Sequence, residues 1–265
     1  MYRLVMTDLD GTLLAPGYRL TQTTIDTVSR LYREKGVRFA LASGRGMAGI
    51  KPVAEQLGVP VFILPCNGAE IYDENGILIR QKTISYDDMI LLKKAVRDIN
   101  PSIETIVHTP QDWAADSFTD IIKKECFVSP RKPIIGRFEE MISKDTPLLK
   151  MISLGTPENT TELAKEISPL FPQYDFYKSQ NYILETTAKG ANKADGLDFL
   201  CKHCGIVLSE TIAFGDGYND IDMLRFAGMS FAMANGNDEA KKAAKKTTLS
   251  NMENGVAAAL NELFN

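Results

Sequence analysis

The segment LVMTDLDGT, residues 4–12, places two carboxylates directly after a short apolar run. Its first four residues have the length and composition of a buried β-strand. Because side chains alternate along an extended segment, Asp8 and Asp10 share one direction. Gly11 permits a sharp turn, and Thr12 adds a hydroxyl and a backbone amide. A calcium loop would need further acids where Thr-Leu-Leu follows. The segment therefore predicts either a plain turn or a two-carboxylate site at the end of a strand.

The composition is that of a globular protein. The chain has 265 residues, of which 44% are hydrophobic, enough to bury a full core. The formal net charge is -4, and no run of like charge exceeds pairs such as Lys241-Lys242, which argues against nucleic acid as a partner. The N-terminal residues lack a secretion signal, and no apolar stretch is long enough to span a bilayer. We expect a cytoplasmic protein with no membrane partner.

The cysteines do not form a recognisable metal motif. Cys201 and Cys204 have Cys-x-x-Cys spacing, with His203 between them. A structural zinc site needs four ligands, usually two such pairs, and Cys66 and Cys126 do not supply the second pair. We predict neither a metal site nor a redox role for these thiols.

Apolar runs alternate with helical patterns at both ends of the chain, which is typical of a parallel sheet with crossover helices. A helix is predicted between the capping Thr21 and the terminating Gly36. Asn75-Gly76 indicates a hairpin between short strands at 70–72 and 77–79. The other strands are predicted at 4–7, 37–42, 61–64, 211–214 and 230–233, and the other helices at 47–57, 192–204, 219–226 and 255–264.

The middle of the chain differs in composition, with more proline and more polar connecting segments. A helix is predicted at 87–97, and short strands at 149–154 and 175–178. We interpret residues 84–185 as an inserted α+β domain. Residues 1–83 and 186–265 then form one discontinuous α/β domain.

Two further segments follow predicted strands. Ser43 offers a hydroxyl, and Gly44 allows close approach of the backbone to a ligand, although Ser-Gly often only begins a loop. Asp216, Asn219 and Asp220 open a helix, where a single acid would suffice for capping. Two acids and an amide within five residues suit a hard cation such as Mg²⁺ better.

Lys189 and Lys193 flank the start of another predicted helix. A lysine on a helix is usually solvated, but the order of the segments favours a role in a site. Ligands of open parallel sheets bind outside the carboxyl ends of the strands. Four carboxylates gathered there would repel by about 4 kcal/mol per close pair at an effective dielectric near 20. A divalent cation and one lysine would offset this repulsion and attract phosphate.

Four motifs together resemble the haloacid dehalogenase (HAD) superfamily of phosphatases, specifically Cof-like members with a type IIB cap. In the family's order they are Asp8-Leu9-Asp10-Gly11-Thr12-Leu13, Ser43-Gly44-Arg45, Lys189-Gly190-Ala191-Asn192-Lys193 and Gly215-Asp216-Gly217-Tyr218-Asn219-Asp220. The inserted segment matches only in length and texture. The resemblance implies a Rossmann-like parallel-sheet core with helices on both faces and an inserted α+β cap domain.

The resemblance also implies roles for residues. Asp8 is expected to accept the phosphoryl group, and Asp10 to protonate the leaving oxygen and then activate water. The implied phosphate-binding residues are Thr12, Ser43, Gly44, Lys193 and Asn219. Mg²⁺ is expected to bind Asp8, the Asp10 carbonyl and Asp216, with Asp220 and Asn219 in supporting contact.

Four other residues are retained as candidates. Ala194 stands where the family often has glycine, so Lys189 is retained beside Lys193. Asn235 lies in a run that differs slightly from the family's. Asn67 and Gly68 follow a strand end and are candidates for facing the substrate.

The leading hypothesis is a Mg²⁺-dependent phosphatase acting on a small phosphorylated metabolite, such as a sugar phosphate. One alternative is a phosphomutase, for which dependence on a bisphosphate activator would be evidence. The other is a receiver protein that is phosphorylated as a switch, for which stoichiometric phosphate release would be evidence. A receiver needs neither the insertion nor a second acid two residues after the first.

Overall fold

The computed structural model describes residues 1–125 and 131–264, so Cys126 lies outside the described residues. The chain divides into two compact units. The core unit consists of the described residues of Met1–Gly44, Ile50–Arg80 and Asn192–Asn265. The inserted unit consists of those of Arg45–Gly49 and Gln81–Ala191.

Among the described residues, eight strands form the sheet of the core unit, in the order β14-β13-β12-β1-β2-β3-β4-β5. β1 pairs in parallel with β2 on one side and with β12 on the other. At the edge of the sheet, β3 and β4 pair antiparallel. The strands are β1 (Leu4–Thr7), β2 (Arg38–Ala42), β3 (Phe62–Leu64), β4 (Glu70–Tyr72), β5 (Leu78–Gln81), β12 (Thr211–Gly215), β13 (Met229–Ala232) and β14 (Lys246–Thr247).

Helices cover both faces of this sheet, as expected for the predicted α/β class. The helix that follows β1 begins after the cap Thr21, whose hydroxyl accepts a hydrogen bond from the Thr24 amide, and ends at Gly36 in a left-handed conformation. The helices outside residues 81–191 of the chain are α1 (Gln22–Lys35), α2 (Met47–Leu57), α7 (Lys193–Cys204), α8 (Ile221–Phe226), α9 (Asp238–Ala243) and α10 (Gly255–Phe264).

The inserted unit contains a second, largely antiparallel sheet with the order β10-β11-β9-β6-β7-β8. Side chains alternate between its two faces: Met151 packs in an apolar cluster with the helices α3 (Tyr86–Ile99) and α6 (Pro157–Ile167), whereas Ile152 packs in a separate cluster. The strands are β6 (Glu104–His108), β7 (Trp113–Ala115), β8 (Ile134–Ile135), β9 (Lys150–Leu154), β10 (Tyr174–Gln180) and β11 (Ile183–Ala188). The helices are α3 (Tyr86–Ile99), α4 (Asp120–Glu125), α5 (Phe138–Met141) and α6 (Pro157–Ile167).

Several predicted elements have the observed bounds, and others do not. The predicted strand 4–7 and the helices 47–57 and 255–264 are confirmed. The predicted domain boundary after residue 185 lies inside β11, which continues to Ala188 in the second sheet. The predicted helix at 219–226 begins instead with a 3₁₀ turn, Tyr218–Asp220.

The sheet order places the predicted site residues together. From β1, the chain continues to β2 and β3 on one side, whereas the later strands β12 to β14 lie on the other. The order changes direction at β1. Asp8 follows the carboxyl end of β1, and Ser43 and Asp216 follow the ends of its two neighbours, β2 and β12. In open α/β sheets, this is where ligands bind.

In the described part of the chain, no helix is both long and apolar enough to cross a bilayer.

The core cluster predicts a clear stability effect on α7. Leu200 is fully buried among apolar side chains of the core unit, so Leu200→Ala leaves a cavity and should lower the free energy of unfolding by about 2–5 kcal/mol. Leu249→Ala, at a leucine that is 49% exposed, should change it by less than about 0.5 kcal/mol. Urea unfolding of both variants measures these changes, and equal losses of unfolding free energy would contradict the burial of Leu200.

Candidate active site

A buried lysine holds two carboxylates together. Lys193 Nζ lies 2.5 Å from Asp8 Oδ1 and 2.7 Å from Asp220 Oδ1, and all three side chains are buried. Lys193 is the first residue of α7, whose cap Asn192 accepts a hydrogen bond from the Asp195 amide. The cap begins the helix where its first side chain can reach the acids.

Asp220 is engaged through both of its oxygens. Oδ1 accepts from Lys193, while Oδ2 accepts from the backbone amides of Asp216 and Gly217, at 3.0 and 2.9 Å. Because it is fully buried, these bonds compensate the loss of hydration. Asp220 therefore ties the lysine to the loop that follows β12.

Asp216 is held from the loop that follows β1. Thr12 Oγ1 donates to Asp216 Oδ1 at 2.7 Å, and the Thr12 amide donates to the Leu9 carbonyl. Both donors are used within the protein, and the hydroxyl holds the Asp216 carboxylate. Phosphate binding by Thr12 stays a prediction.

Gly11 is required for this approach. Its φ is +80°, and a Cβ atom there would lie 2.3 Å from Asp216 Oδ2. A glycine thus allows both the left-handed turn and the contact between the two loops.

The electrostatics of Lys193 are those of a stable cation. Burial alone would lower the pKa of Lys193, but the neighbouring carboxylates of Asp220 and Asp8 outweigh burial and raise it. Burial raises the pKa of Asp8 well above its ordinary value, with Lys193 acting in the opposite direction.

Asp216 has an environment that disfavours its charge. Burial raises the pKa of Asp216 to about 6, although the Thr12 hydrogen bond opposes the shift. The carboxylates of Asp220 and Asp10 act in the same direction as burial, which places Asp10 within electrostatic reach.

The acids have the chemistry of a divalent-cation site. Oxygens of Asp8, Asp216 and Asp220 all lie within 4.8 Å of one another. With the Lys193 ammonium beside them, the ionised cluster retains two uncompensated negative charges. Carboxylate oxygens are the ligands that Mg²⁺ prefers, so the donor set fits this ion.

The predicted phosphate-binding residues occupy the neighbouring strand ends. Ser43 is buried directly after β2, and Gly44 follows it. The side-chain amide of Asn219 donates to Asn67 Oδ1 at 3.0 Å. The sequence predicts Asn67 only as a residue facing the substrate, because two side chains 152 positions apart carry no local signal of pairing.

The structure separates the two candidate lysines. Lys189 Nζ donates to the Pro172 carbonyl within the inserted unit, whereas Lys193 joins the acid cluster. Asn235 Nδ2 donates to the Gly11 carbonyl at 2.8 Å, so it contacts the turn that directly follows the two acids of the first motif.

A family model described as haloacid dehalogenase-like hydrolase matches residues 5–260. The chain belongs to this family. The match, together with the relatives below, confirms the resemblance to Cof-like HAD phosphatases that the four motifs predicted.

Similar proteins extend over the full length of this HAD phosphatase. A Haemophilus influenzae relative, to which a phosphatase activity is ascribed, is 30% identical over 100% of this chain and 99% of its own. A crystal structure of a haloacid dehalogenase-like hydrolase from Bacteroides thetaiotaomicron has a TM-score of 0.87 and 31% identity, covering 100% of both chains. A sugar phosphatase described as HAD subclass IIB shares the fold, with a TM-score of 0.84 and 24% identity over 98% of each chain.

Gly11→Ala in the HAD phosphatase tests the contact between loops. Both Gly11 and Gly17 have left-handed backbones, at φ +80° and +79°, but a Cβ at Gly17 would meet nothing closer than 3.8 Å. Because alanine is strained in the left-handed conformation, each variant should be less stable by roughly 1–2 kcal/mol. Only Gly11→Ala should also displace Asp216 and lower kcat/KM, by about 10²-fold. Steady-state kinetics with unfolding curves separate the effects, and equal kcat/KM in the two variants would refute the contact.

Lys193→Met tests the buried ion pairs. Removing the ammonium leaves Asp8 and Asp220 without their cation, so the free energy of unfolding in chelator should fall by about 3–5 kcal/mol. Saturating Mg²⁺ should recover part of this loss. The matched substitution at the exposed amine, Lys189→Met, should leave both stability and turnover unchanged; a similar loss in both variants would contradict the arrangement.

Proposed function

We propose that this HAD phosphatase is Mg²⁺-dependent and hydrolyses a small phosphorylated metabolite through an aspartyl phosphate formed on Asp8. The observation that carries the proposal is the cluster of Asp8, Asp216 and Asp220 around the Lys193 ammonium. Such a cluster is costly to bury without a further function. Its carboxylates attract a divalent cation, and its ammonium attracts a phosphate dianion.

The metal ligands follow from the use of each oxygen. We assign Asp8 and Asp216 as the carboxylate ligands, with the Asp10 carbonyl beside them. Because both oxygens of Asp220 already accept hydrogen bonds, its part is to anchor Lys193 and the loop after β12. Bound Mg²⁺ would neutralise charge on the transferring phosphoryl group.

The phosphate would be held by donors from the loops after β2 and β12 and from the start of α7. Lys193 supplies a fixed positive charge, Ser43 and Gly44 supply a hydroxyl and backbone amides, and Asn219 supplies a side-chain amide. Thr12 contributes indirectly, by holding Asp216.

In the first half-reaction, a carboxylate oxygen of Asp8 attacks phosphorus as the bond to the leaving oxygen breaks. The Asp10 carboxyl gives its proton to that oxygen, which leaves as an alcohol. In the second half-reaction, the Asp10 carboxylate takes a proton from water, and the water oxygen attacks phosphorus. The bond to Asp8 breaks, and inorganic phosphate leaves.

The division of labour agrees with the size of the barrier. Hydrolysis of a phosphate monoester can require an acceleration of up to about 10²¹-fold. General acid–base catalysis supplies only about 10² to 10⁴ of this factor. A covalent nucleophile, a metal and a fixed cation acting together are therefore required.

The relatives support a phosphatase over the mutase and receiver alternatives. The Haemophilus influenzae relative and the subclass IIB neighbour are both described in terms of phosphatase activity. Since that neighbour is a sugar phosphatase, we place sugar phosphates first among the substrate classes to be tested.

Asp8→Asn tests the nucleophile with a generic aryl phosphate. Turnover should fall at least about 10⁴-fold, because an amide cannot form the phosphorylated intermediate. Asp26→Asn, at an exposed acid of α1, is the control and should keep wild-type turnover. Excess chelator should stop the wild-type reaction, and added Mg²⁺ should restore it. Normal turnover in Asp8→Asn would reject the assignment, and full activity in chelator would reject the metal.

A further inference from the structure

An unusual backbone segment follows β3 in the core unit. Cys66, Asn67 and Gly68 have φ values of +49°, +58° and +98°. Among the described residues, this is the only run of three consecutive left-handed residues. Non-glycine residues rarely adopt this region, and such strain tends to persist where surrounding contacts require it. We call the three residues the left-handed turn.

The middle residue of the turn contacts two of the proposed phosphate-binding segments. The Asn67 amide donates to the Ser43 carbonyl at 2.8 Å, and Asn67 Oδ1 accepts from Asn219 Nδ2 at 3.0 Å. Asn67 is 1% exposed and Asn219 is half-buried, so this bond is partly shielded from water. Such a bond restricts the orientation of the Asn219 amide more than an exposed one would.

The last residue of the turn contacts the third segment. A Cβ on Gly68 would lie 3.1 Å from the carbonyl oxygen of Asn192, the cap of the helix that begins with Lys193. Arg80 donates to the Gly68 carbonyl and to the Asp195 carbonyl, at 3.1 and 3.2 Å, and so joins the turn to the first turn of α7.

We propose that the left-handed turn is the positioning device of the phosphate site, and that Asn67 is a positioning residue that acts through the Asn219 amide. The inference rests on the proposed function in taking Ser43, Asn219 and Lys193 as phosphate-binding residues. Asn67 sets the orientation of one donor and the backbone of a second, while Gly68 and Arg80 fix the helix that carries the third. Asparagine suits this position because it tolerates a left-handed backbone and presents an acceptor oxygen.

A double-mutant cycle tests the coupling. Asn67→Gly removes the acceptor but retains the backbone conformation, since glycine adopts φ +58° without strain. Asn219→Ala removes the donor. The affinity for inorganic phosphate in saturating Mg²⁺, measured by calorimetry, should fall about tenfold in each single variant. In the double variant, it should also fall about tenfold rather than a hundredfold, because both substitutions remove one function.

A matched control separates positioning from general loosening. Asn254 also has a left-handed backbone, at φ +58°, and its side chain accepts a hydrogen bond from Thr21. Asn254→Gly should leave phosphate affinity and kcat/KM unchanged, whereas Asn67→Gly should lower both.

The outcomes distinguish this inference from the proposed function. Additive losses in the cycle, or full phosphate affinity in Asn67→Gly, would overturn the positioning role even in an active phosphatase. A non-additive cycle in a wild-type protein that turns over no phosphate ester would support the positioning role and contradict the proposed function. A wild-type protein that binds no phosphate would contradict both.

Discussion

The placement of one ammonium group in the interior controls the organisation of the site. Lys193 lies between Asp8 and Asp220, where a charge without partners would be too costly to bury. Its contacts connect the loop after β1, the loop after β12 and the start of α7. One ammonium does not neutralise three carboxylates, so the ionised cluster stays negative and attracts a further cation.

The sheet order makes this pairing possible. β1 lies between β2 and β12, so loops from segments about 200 residues apart in the chain begin side by side. Contacts such as Thr12 to Asp216 then hold each loop against its neighbour. The site is therefore supported by bonds between loops as well as by the strands, which suits a reaction that depends on fixed charges.

The sequence was most informative where the signal is local. The bounds of β1 and α2 follow from apolar runs and helical spacing, and the acids of two motifs were recognised as one site because both follow strands. The hydrogen-bond partners of Thr12 and Asn219 and the extent of β11 were not predicted. The first two depend on contacts between distant segments, and the third on pairing with β9 and β10 in the second sheet.

The most direct measurement is a crystal structure of the protein with Mn²⁺ in place of Mg²⁺, with the ion located by its anomalous scattering. We expect one strong peak within bonding distance of both Asp8 and Asp216, with Lys193 retained beside Asp8. A peak elsewhere, or no peak here at millimolar ion, would contradict it.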